Sequence, residues 1–463
     1  MLSSLRQGPG FYRNLWKLTL PIVLQNLITT SLGFADTFMV GLLGNAEMAA
    51  VTAANVPIFI TQCMIFGFQS GMTVLVSQYW GKCDTDNISR CTGVTLYAVT
   101  AISTLVALTT FFFPTQVLHL ITPNEELVVL GAPYIRIVGF SYIFNGISSV
   151  YAGVQRSTEY PAFGTILFAV SMCVNTFLNY VLIFGKFGAP AMGVTGAAVA
   201  TLISRIVEFF IAVAFALLNK RLPLRWSCVF RPSREIFRSF IKYSTPVICN
   251  ETLWSLGTSA LTVVMGHMAN SQDMLAAYSL VGSIDKLSTV VCFGISASAA
   301  VIVGKEIGMG KSRDHVYSVG WTLLLVSMLV GAGMMALLLI LLPTFFRPVL
   351  YPLFELTPGA TEAATCMAIY YALFLPLRAF DITNITGVLR AGGDAKVASV
   401  IDLSPLWLGS IPLMALTGLV LQAPTPVVCL AMQVENICKC PIGLARFRSR
   451  KWINDVTRGR QEA

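Results

Sequence analysis

Long apolar stretches, separated by short polar segments, run along the whole chain. A helix that crosses a bilayer needs about 20 predominantly apolar residues, and stretches of that length or longer recur twelve times. Glu435 and Lys439 interrupt the last, which makes it the weakest candidate. The pattern predicts an all-α polytopic membrane protein with twelve transmembrane helices. Their approximate limits are 14–42, 53–80, 92–119, 129–155, 161–185, 193–219, 236–268, 281–306, 316–342, 362–389, 396–421 and 425–445.

Composition agrees with this prediction. Hydrophobic residues make up 55% of the 463 residues and charged residues 11%, with a mean hydropathy of +0.73; soluble domains carry about 25% charged residues. A soluble enzyme, a disordered chain and a collagen-like fibre are therefore excluded. The first apolar stretch is too long for a cleavable signal peptide and is expected to be the first spanning helix.

Basic residues are concentrated in alternate connections between the apolar stretches, and the net charge is +9. The connection 220–242 is the most basic, whereas Lys186 and Arg347 are the exceptions on the opposite side. Because cytoplasmic loops carry the excess of Lys and Arg, we expect a multi-pass protein of the cell membrane with both termini in the cytoplasm. The positive charge thus indicates basic loops rather than nucleic-acid binding.

The two halves of the chain repeat each other in order. With an offset of 225 to 234 residues, Pro21 matches Pro246, Gly41 matches Gly266, Gly153 matches Gly387 and Arg156 matches Arg390. An even number of spans per copy gives both copies the same orientation, as in parallel repeats. We therefore predict two pseudo-symmetric six-helix bundles: an N-lobe at 1–219, a basic cytoplasmic linker at 220–242, and a C-lobe with a basic tail at 243–463.

Asp36 is the sharpest candidate for chemistry, because an ionisable group within a membrane span is costly and usually functional. Gln25, Thr29 and Gly33 share its helix face and form a polar stripe. The functional interpretation is a proton or cation site facing the bundle interior. The alternative is a structural carboxylate hydrogen-bonded to its neighbours.

Two further spans of the first half carry oxygen-bearing side chains. Asn175 and Asn179 lie one turn apart on the fifth span, and Thr201 lies on the sixth. Amide and hydroxyl oxygens could complete an oxygen cage beside Asp36. Alternatively, such residues only hold neighbouring helices together.

The second half offers Glu251 and Asp381 as a possible second cation site. Arg378 precedes Asp381 by one turn, so the alternative for Asp381 is a neutralising ion pair with Arg378. We expect Asp285 and Lys286 to form a pair near the membrane interface. Asp402 and Glu435 are expected to be structural.

The sequence contains only incomplete versions of motifs that are typical of enzymes. The segment Gly304–Ser312 resembles a phosphate-binding loop, but Lys305 stands where the motif requires its first glycine and no strand precedes it. His119, His267 and His315 are far apart and adjoin no acidic motif. We therefore predict no enzyme activity, no catalytic residues, no resident cofactor, and no metal other than Na⁺ as a coupling ion.

Several segments resemble the multidrug and toxic compound extrusion (MATE) family. They are Pro21–Asn26 with Asp36, Asn175–Gly185, Gly193–Thr201, Gly387–Asp394 and Ile401–Leu413. The resemblance implies cation-coupled export through two six-helix lobes. It also implies that Asp36, Asn175, Asn179 and Thr201 match the family's N-lobe cation site, and that Glu251 and Asp381 match acidic positions of a C-lobe site in another branch. Many relatives carry Asp where Asn179 stands, and its absence favours H⁺ over Na⁺ as the coupling ion.

Together these observations predict a secondary active antiporter that exports amphipathic, cationic organic compounds in exchange for H⁺ or Na⁺. Protonation of Asp36 would displace the substrate by reshaping the first helix at Pro21, with Gln25 and Thr29 lining the substrate cavity. The alternatives are a lipid-linked precursor flippase of the same superfamily, and a channel or receptor without coupled flux. We expect a monomer whose partners are the substrates and the lipid bilayer.

The distribution of basic residues generates a direct test of orientation. A single cysteine placed in the connection 220–242, in a cysteine-free background, should not react with membrane-impermeant thiol reagents added to intact cells, because that loop is cytoplasmic. It should react after the cells are permeabilised. Prompt labelling in intact cells would invert the predicted topology.

Overall fold

A computed structural model describes residues 7–231, 233–354 and 356–457. The described part of the chain folds into helices and contains no strand, so the predicted all-α class is confirmed. The outermost residues of the two predicted lobes, 1–6 and 458–463, lie outside the described ranges.

Twelve long helices follow one another along the chain. We number them α1 (Pro9–Gly41), α2 (Asn45–Gly81), α3 (Thr85–Phe112), α4 (Glu125–Ser157), α5 (Ala162–Phe184), α6 (Gly193–Leu218), α7 (Arg234–Gly266), α8 (Ser271–Gly308), α9 (Arg313–Leu353), α10 (Pro358–Leu389), α11 (Ala395–Val420) and α12 (Thr425–Arg448). Two short helices, Pro114–His119 and Trp226–Val229, lie in the connections.

Among the described residues, 11 helices are long and apolar enough to span a membrane. The remaining long helix is α7, which the sequence predicted as a span at 236–268. It is less apolar because its first turns carry Arg234, Glu235, Arg238 and Lys242. Its 33 residues are nevertheless long enough to cross a bilayer.

The chain forms two compact units. The N unit comprises Leu20–Ile248, and the C unit comprises Met1–Thr19 together with Cys249–Ala463. Helices α1 and α7, the first helix of each predicted repeat, thus contribute residues to both units. The lobe limits drawn from the repeat stay a prediction.

Each unit has its own apolar core. In the N unit, Val40, Ile58, Ile135 and Ala198 belong to a core to which α1, α2, α4 and α6 contribute. In the C unit, the first turns of α1 pack through Leu15 and Leu18 into a core with α8, α9 and α10. Trp452, which follows α12, is fully buried in the same core and stacks on Phe447.

Helices of the C unit contain π-helical stretches, at Leu342–Leu350, Thr383–Leu389, Leu406–Ser410 and Leu416–Val420. Such stretches often mark functional segments of a helix. The one at Thr383–Leu389 begins two residues after Asp381. By contrast, Pro21, Pro246 and Pro376 lie within helices that continue through them.

The matched glycines of the two repeats allow a packing test. A Cβ at Gly387 would lie 2.7 Å from the backbone oxygen of Ser296, whereas a Cβ at Gly153 would lie 3.0 Å from the terminal methyl group of Met72. Backbone cannot yield as a flexible side chain can. Gly387→Ala should therefore destabilise the purified protein by about 1–3 kcal/mol, the usual cost of overpacking.

The control is Gly153→Ala, which should change the thermal unfolding temperature much less. Equal effects of the two substitutions would contradict the close approach of α8 and α10.

Candidate functional site

Three helices of the N unit bring the predicted residues of the first half together. Asp36 lies near the end of α1, Asn175 and Asn179 lie one turn apart on α5, and Thr201 lies on α6. The spacing of four residues on α5 places both amides on one helix face. Local helix geometry therefore presents the two amides side by side.

A continuous chain of hydrogen bonds links these four side chains. Asn179 Nδ2 donates to Asp36 Oδ1 at 2.5 Å and to Asn175 Oδ1 at 3.0 Å. Asn175 Nδ2 in turn donates to Thr201 Oγ1 at 3.3 Å. The hydroxyl of Thr201 donates to the backbone oxygen of Ala197 at 2.9 Å. Asn179 thus donates to the carboxylate and to Asn175, whereas Asn175 and Thr201 donate in the opposite direction, towards the backbone of α6.

Burial differs along this chain. Asn175 and Asn179 are 1% and 0% exposed, whereas Asp36 and Thr201 are partly exposed. The side-chain oxygen of Asn179 is buried without a hydrogen-bond partner among the described residues. Asp36 therefore keeps some exposure, while the Asn179 amide that bonds to it is fully buried.

The other residues predicted along α1 have different partners. The backbone oxygen of Pro21 accepts a hydrogen bond from Thr165 Oγ1 on α5 at 2.7 Å. Gln25 packs against α5 at Gly164, where its Oε1 lies 2.7 Å from the position of an added Cβ. Thr29 is exposed and bonds to the backbone oxygen of Asn26 within its own helix.

Sequence reasoning missed an ion pair one turn beyond Thr201 on α6. Arg205 Nη1 lies 2.6 Å from Glu208 Oε2, and the Glu208 side chain is fully buried. The guanidinium also lies within electrostatic range of Asp36 and Tyr142. The signal was present in the sequence, because Thr201, Arg205 and Glu208 recur at helical spacing on one face.

In the C unit, acidic and basic side chains of α7, α11 and α12, together with Arg390 directly after α10, form a partly buried network. Glu251 Oε1 lies 3.1 Å from Arg390 Nη1, and Asp402 Oδ2 lies 3.9 Å from Arg390 Nη2. Lys439 Nζ lies 2.9 Å from Asp402 Oδ1 and 3.2 Å from Glu435 Oε2. The side chains of Arg390 and Lys439 are buried inside the unit, at 2% and 7% exposure.

The alternative interpretation of Asp381, an ion pair with Arg378, is wrong. The guanidinium of Arg378 makes a bidentate ion pair with Asp285 on α8. The guanidinium carbon also lies 5.3 Å from the ring centroid of Tyr371. An arginine side chain is long enough to reach a facing helix, where both carboxylate oxygens can be engaged at once. Asp285 is therefore not the interfacial partner of Lys286 that the sequence suggested.

Asp381 is left without a neutralising neighbour on its own helix. It is 3% exposed, and neither carboxylate oxygen has a hydrogen-bond partner in the part of the chain that the structure describes. Charges within electrostatic range of it are those of Lys439, Asp402 and Glu435. Glu251, the other predicted member of a second cation site, is engaged by Arg390.

The MatE family model matches two segments of this chain, residues 21–181 and 246–416. Together they cover most of the sequence, one in each half. The chain belongs to the MatE family. The two matched segments begin at the prolines that the internal repeat aligns, Pro21 and Pro246.

This MatE chain is similar over nearly its whole length to curated bacterial proteins. It is 26% identical to the probable multidrug resistance protein NorM of Thermotoga maritima, covering 96% of this chain and 94% of that protein. It is 25% identical to the uncharacterized transporter YisQ of Bacillus subtilis, covering 95% of each.

Solved structures show the same fold. A crystal structure of a mutant of the Vibrio cholerae MATE transporter VcmN superposes with a TM-score of 0.85, at 18% identity, covering 98% of this chain and 99% of that one. The protein is therefore a multi-span membrane transporter of the MATE fold.

Proposed function

We propose that this MatE protein is a secondary antiporter that exports amphipathic organic cations in exchange for protons, with Asp36 as the group that carries the proton. The observation that supports this most directly is the hydrogen bond from Asn179 to Asp36, at the end of a chain of uncharged side chains. Relatives named as multidrug resistance proteins support the substrate class.

The donors around Asp36 favour H⁺ over Na⁺. A Na⁺ site needs several oxygen ligands, and negative charge offsets the loss of hydration. Asn179 turns its N–H group, not its oxygen, towards Asp36, and Asn175 and Thr201 carry no charge. A proton needs only one carboxylate oxygen, which Asp36 supplies.

Competition between the organic cation and a proton for Asp36 couples the transport of one to the other. When Asp36 is ionised, its partly exposed carboxylate attracts an organic cation. A proton arriving from the outside removes that charge and weakens the hydrogen bond that Asp36 accepts from Asn179. The organic cation is then released. The bond from Thr165 to the Pro21 backbone oxygen ties α1 to α5 and would transmit a shift of one helix to the other.

The orientation and assembly of the protein complete the proposal. With both termini in the cytoplasm, an inward proton gradient drives the organic cation outward. We expect each chain to transport as a monomer.

A substitution test separates the N unit from the C unit. Asp36→Asn, which keeps the size of the side chain and removes its titratable group, should reduce ΔpH-driven efflux of a fluorescent organic cation from proteoliposomes to the level of empty liposomes. Glu251→Gln and Asp381→Asn should retain a substantial part of the flux. Loss of transport in Glu251→Gln alone, with Asp36→Asn active, would place coupling in the C unit.

The coupling ion is tested by restoring a second carboxylate. In wild-type proteoliposomes ΔpH alone should drive efflux, and a Na⁺ gradient should add little. Asn179→Asp should raise the dependence on Na⁺ several-fold, because two carboxylates offset the dehydration of the ion. Asn179→Ser, which adds no charge, is the matched control.

Wild-type vesicles that respond only to a Na⁺ gradient would contradict proton coupling. Vesicles that release the cation without any gradient-driven flux would instead indicate a channel.

A further inference from the structure

The network in the C unit has more acids than bases. Its carboxylates come from α7, α10, α11 and α12, and its two cationic groups come from α12 and from the residue that follows α10. The carboxylates are Glu251, Asp381, Asp402 and Glu435, and the cations are Arg390 and Lys439. A network that holds two more acids than bases within a membrane protein is expected to attract a further cation, unless something prevents its binding.

Lys439 occupies the position that such a cation would take. Its ammonium group bridges Asp402 and Glu435, at 2.9 and 3.2 Å. The lysine side chain is 7% exposed, whereas those of its two carboxylate partners are 19% and 20% exposed. The lysine side chain is thus more deeply buried than the two carboxylates that it bridges.

Two polar side chains on α10 have oxygens without hydrogen-bond partners in the described part of the chain. Both carboxylate oxygens of Asp381, and the side-chain oxygen of Asn384 one turn later, are buried and make no hydrogen bond within the described residues. Asp402 also accepts a hydrogen bond from Asn250 Nδ2 at 2.8 Å, which holds it in place. Carboxylate and amide oxygens are the ligands that hard cations prefer.

From this geometry we infer that Lys439 is a tethered counter-cation that excludes Na⁺ from the acidic network of the C unit. Without its charge, Asp402 and Glu435, the two carboxylates that it bridges, bind Na⁺ in its place. The inference goes beyond the proposed function, since it concerns ion binding in the other unit and its test requires no transport.

Charge explains the exclusion. An ammonium group has three donors and no acceptor, so it satisfies the two carboxylates but offers nothing to a metal ion. A second cation against the same oxygens would be repelled by the lysine, and the repulsion is strong where water is scarce. No group of three or more His, Cys, Asp or Glu side chains in the described ranges is placed to hold a metal ion, so the bound Na⁺ relies on the two carboxylates that the lysine bridges.

Thermal unfolding of the purified protein tests the inference. Lys439→Met, which keeps the length of the side chain without its charge, should be stabilised by NaCl relative to choline chloride at equal ionic strength. We expect a saturable rise in the unfolding temperature of about 2 °C or more. Wild type should respond equally to both salts, and so should Lys439→Arg, the matched control that keeps the positive charge.

The added site must also depend on the acidic network. In the double variant Lys439→Met/Asp402→Asn, the specific response to Na⁺ should be lost. Lys439→Gln serves as a second neutral variant, and each neutral variant is purified in parallel in NaCl and in choline chloride. Recovery of folded protein only in NaCl supports the inference, because Na⁺ then replaces the missing ammonium group.

Three results would overturn it. One is a folded neutral variant that responds equally to both salts. Another is a Na⁺-specific stabilisation of wild type that Asp402→Asn removes, since Na⁺ would then bind beside Lys439. The third is failure of both neutral variants to fold in either salt, which would make the lysine a structural partner that Na⁺ cannot replace.

Discussion

An ionisable side chain within a membrane must be hydrogen-bonded or neutralised, because leaving it alone costs about 2.5–3.5 kcal/mol on insertion scales. Four acids of this protein meet the constraint in two ways, whereas buried Asp381 has no hydrogen-bond partner among the described residues. Asp36 is held by an uncharged amide, whereas Glu208, Asp285 and Asp402 are held by arginine or lysine. A carboxylate held by an amide can take up a proton without leaving a buried cation unpaired. A carboxylate held by a cation cannot, and so it suits structure better than coupling.

This difference explains how two similar repeats can have different roles. Gly153 and Gly387 are equivalent in the repeat, yet one faces a flexible methionine and the other the backbone of a neighbouring helix. In the same way, the cluster around Asp36 contains neutral side chains, whereas the acids of the C unit are joined by Arg390 and Lys439. We therefore propose that coupling belongs to the N unit, whereas Glu251, Asp402 and Glu435 of the C unit are engaged by Arg390 and Lys439.

Much of this arrangement could be predicted from sequence, since hydropathy locates spans and helical spacing places Asn175 beside Asn179. Pairs formed between distant helices could not. Arg378 and Asp285 are 93 residues apart, and nothing in the local pattern distinguishes Asp285 from Asp381 as the partner. Lys439 likewise interrupts the last predicted span, but the sequence does not show that its partner is Asp402 on another helix. Helices α1 and α7 also contribute residues to both units. This follows from packing and could not be predicted from the periodicity of the sequence.

The central claim is that an organic cation and a proton compete for Asp36. It is tested most directly by measuring protons released when a fluorescent organic cation is added to the purified protein in weakly buffered solution, with a pH indicator. The account predicts release by wild type at a pH where Asp36 is partly protonated, and no release by Asp36→Asn, while Asp381→Asn releases protons as wild type does. Undiminished release from Asp36→Asn would show that another group carries the proton and would contradict the account.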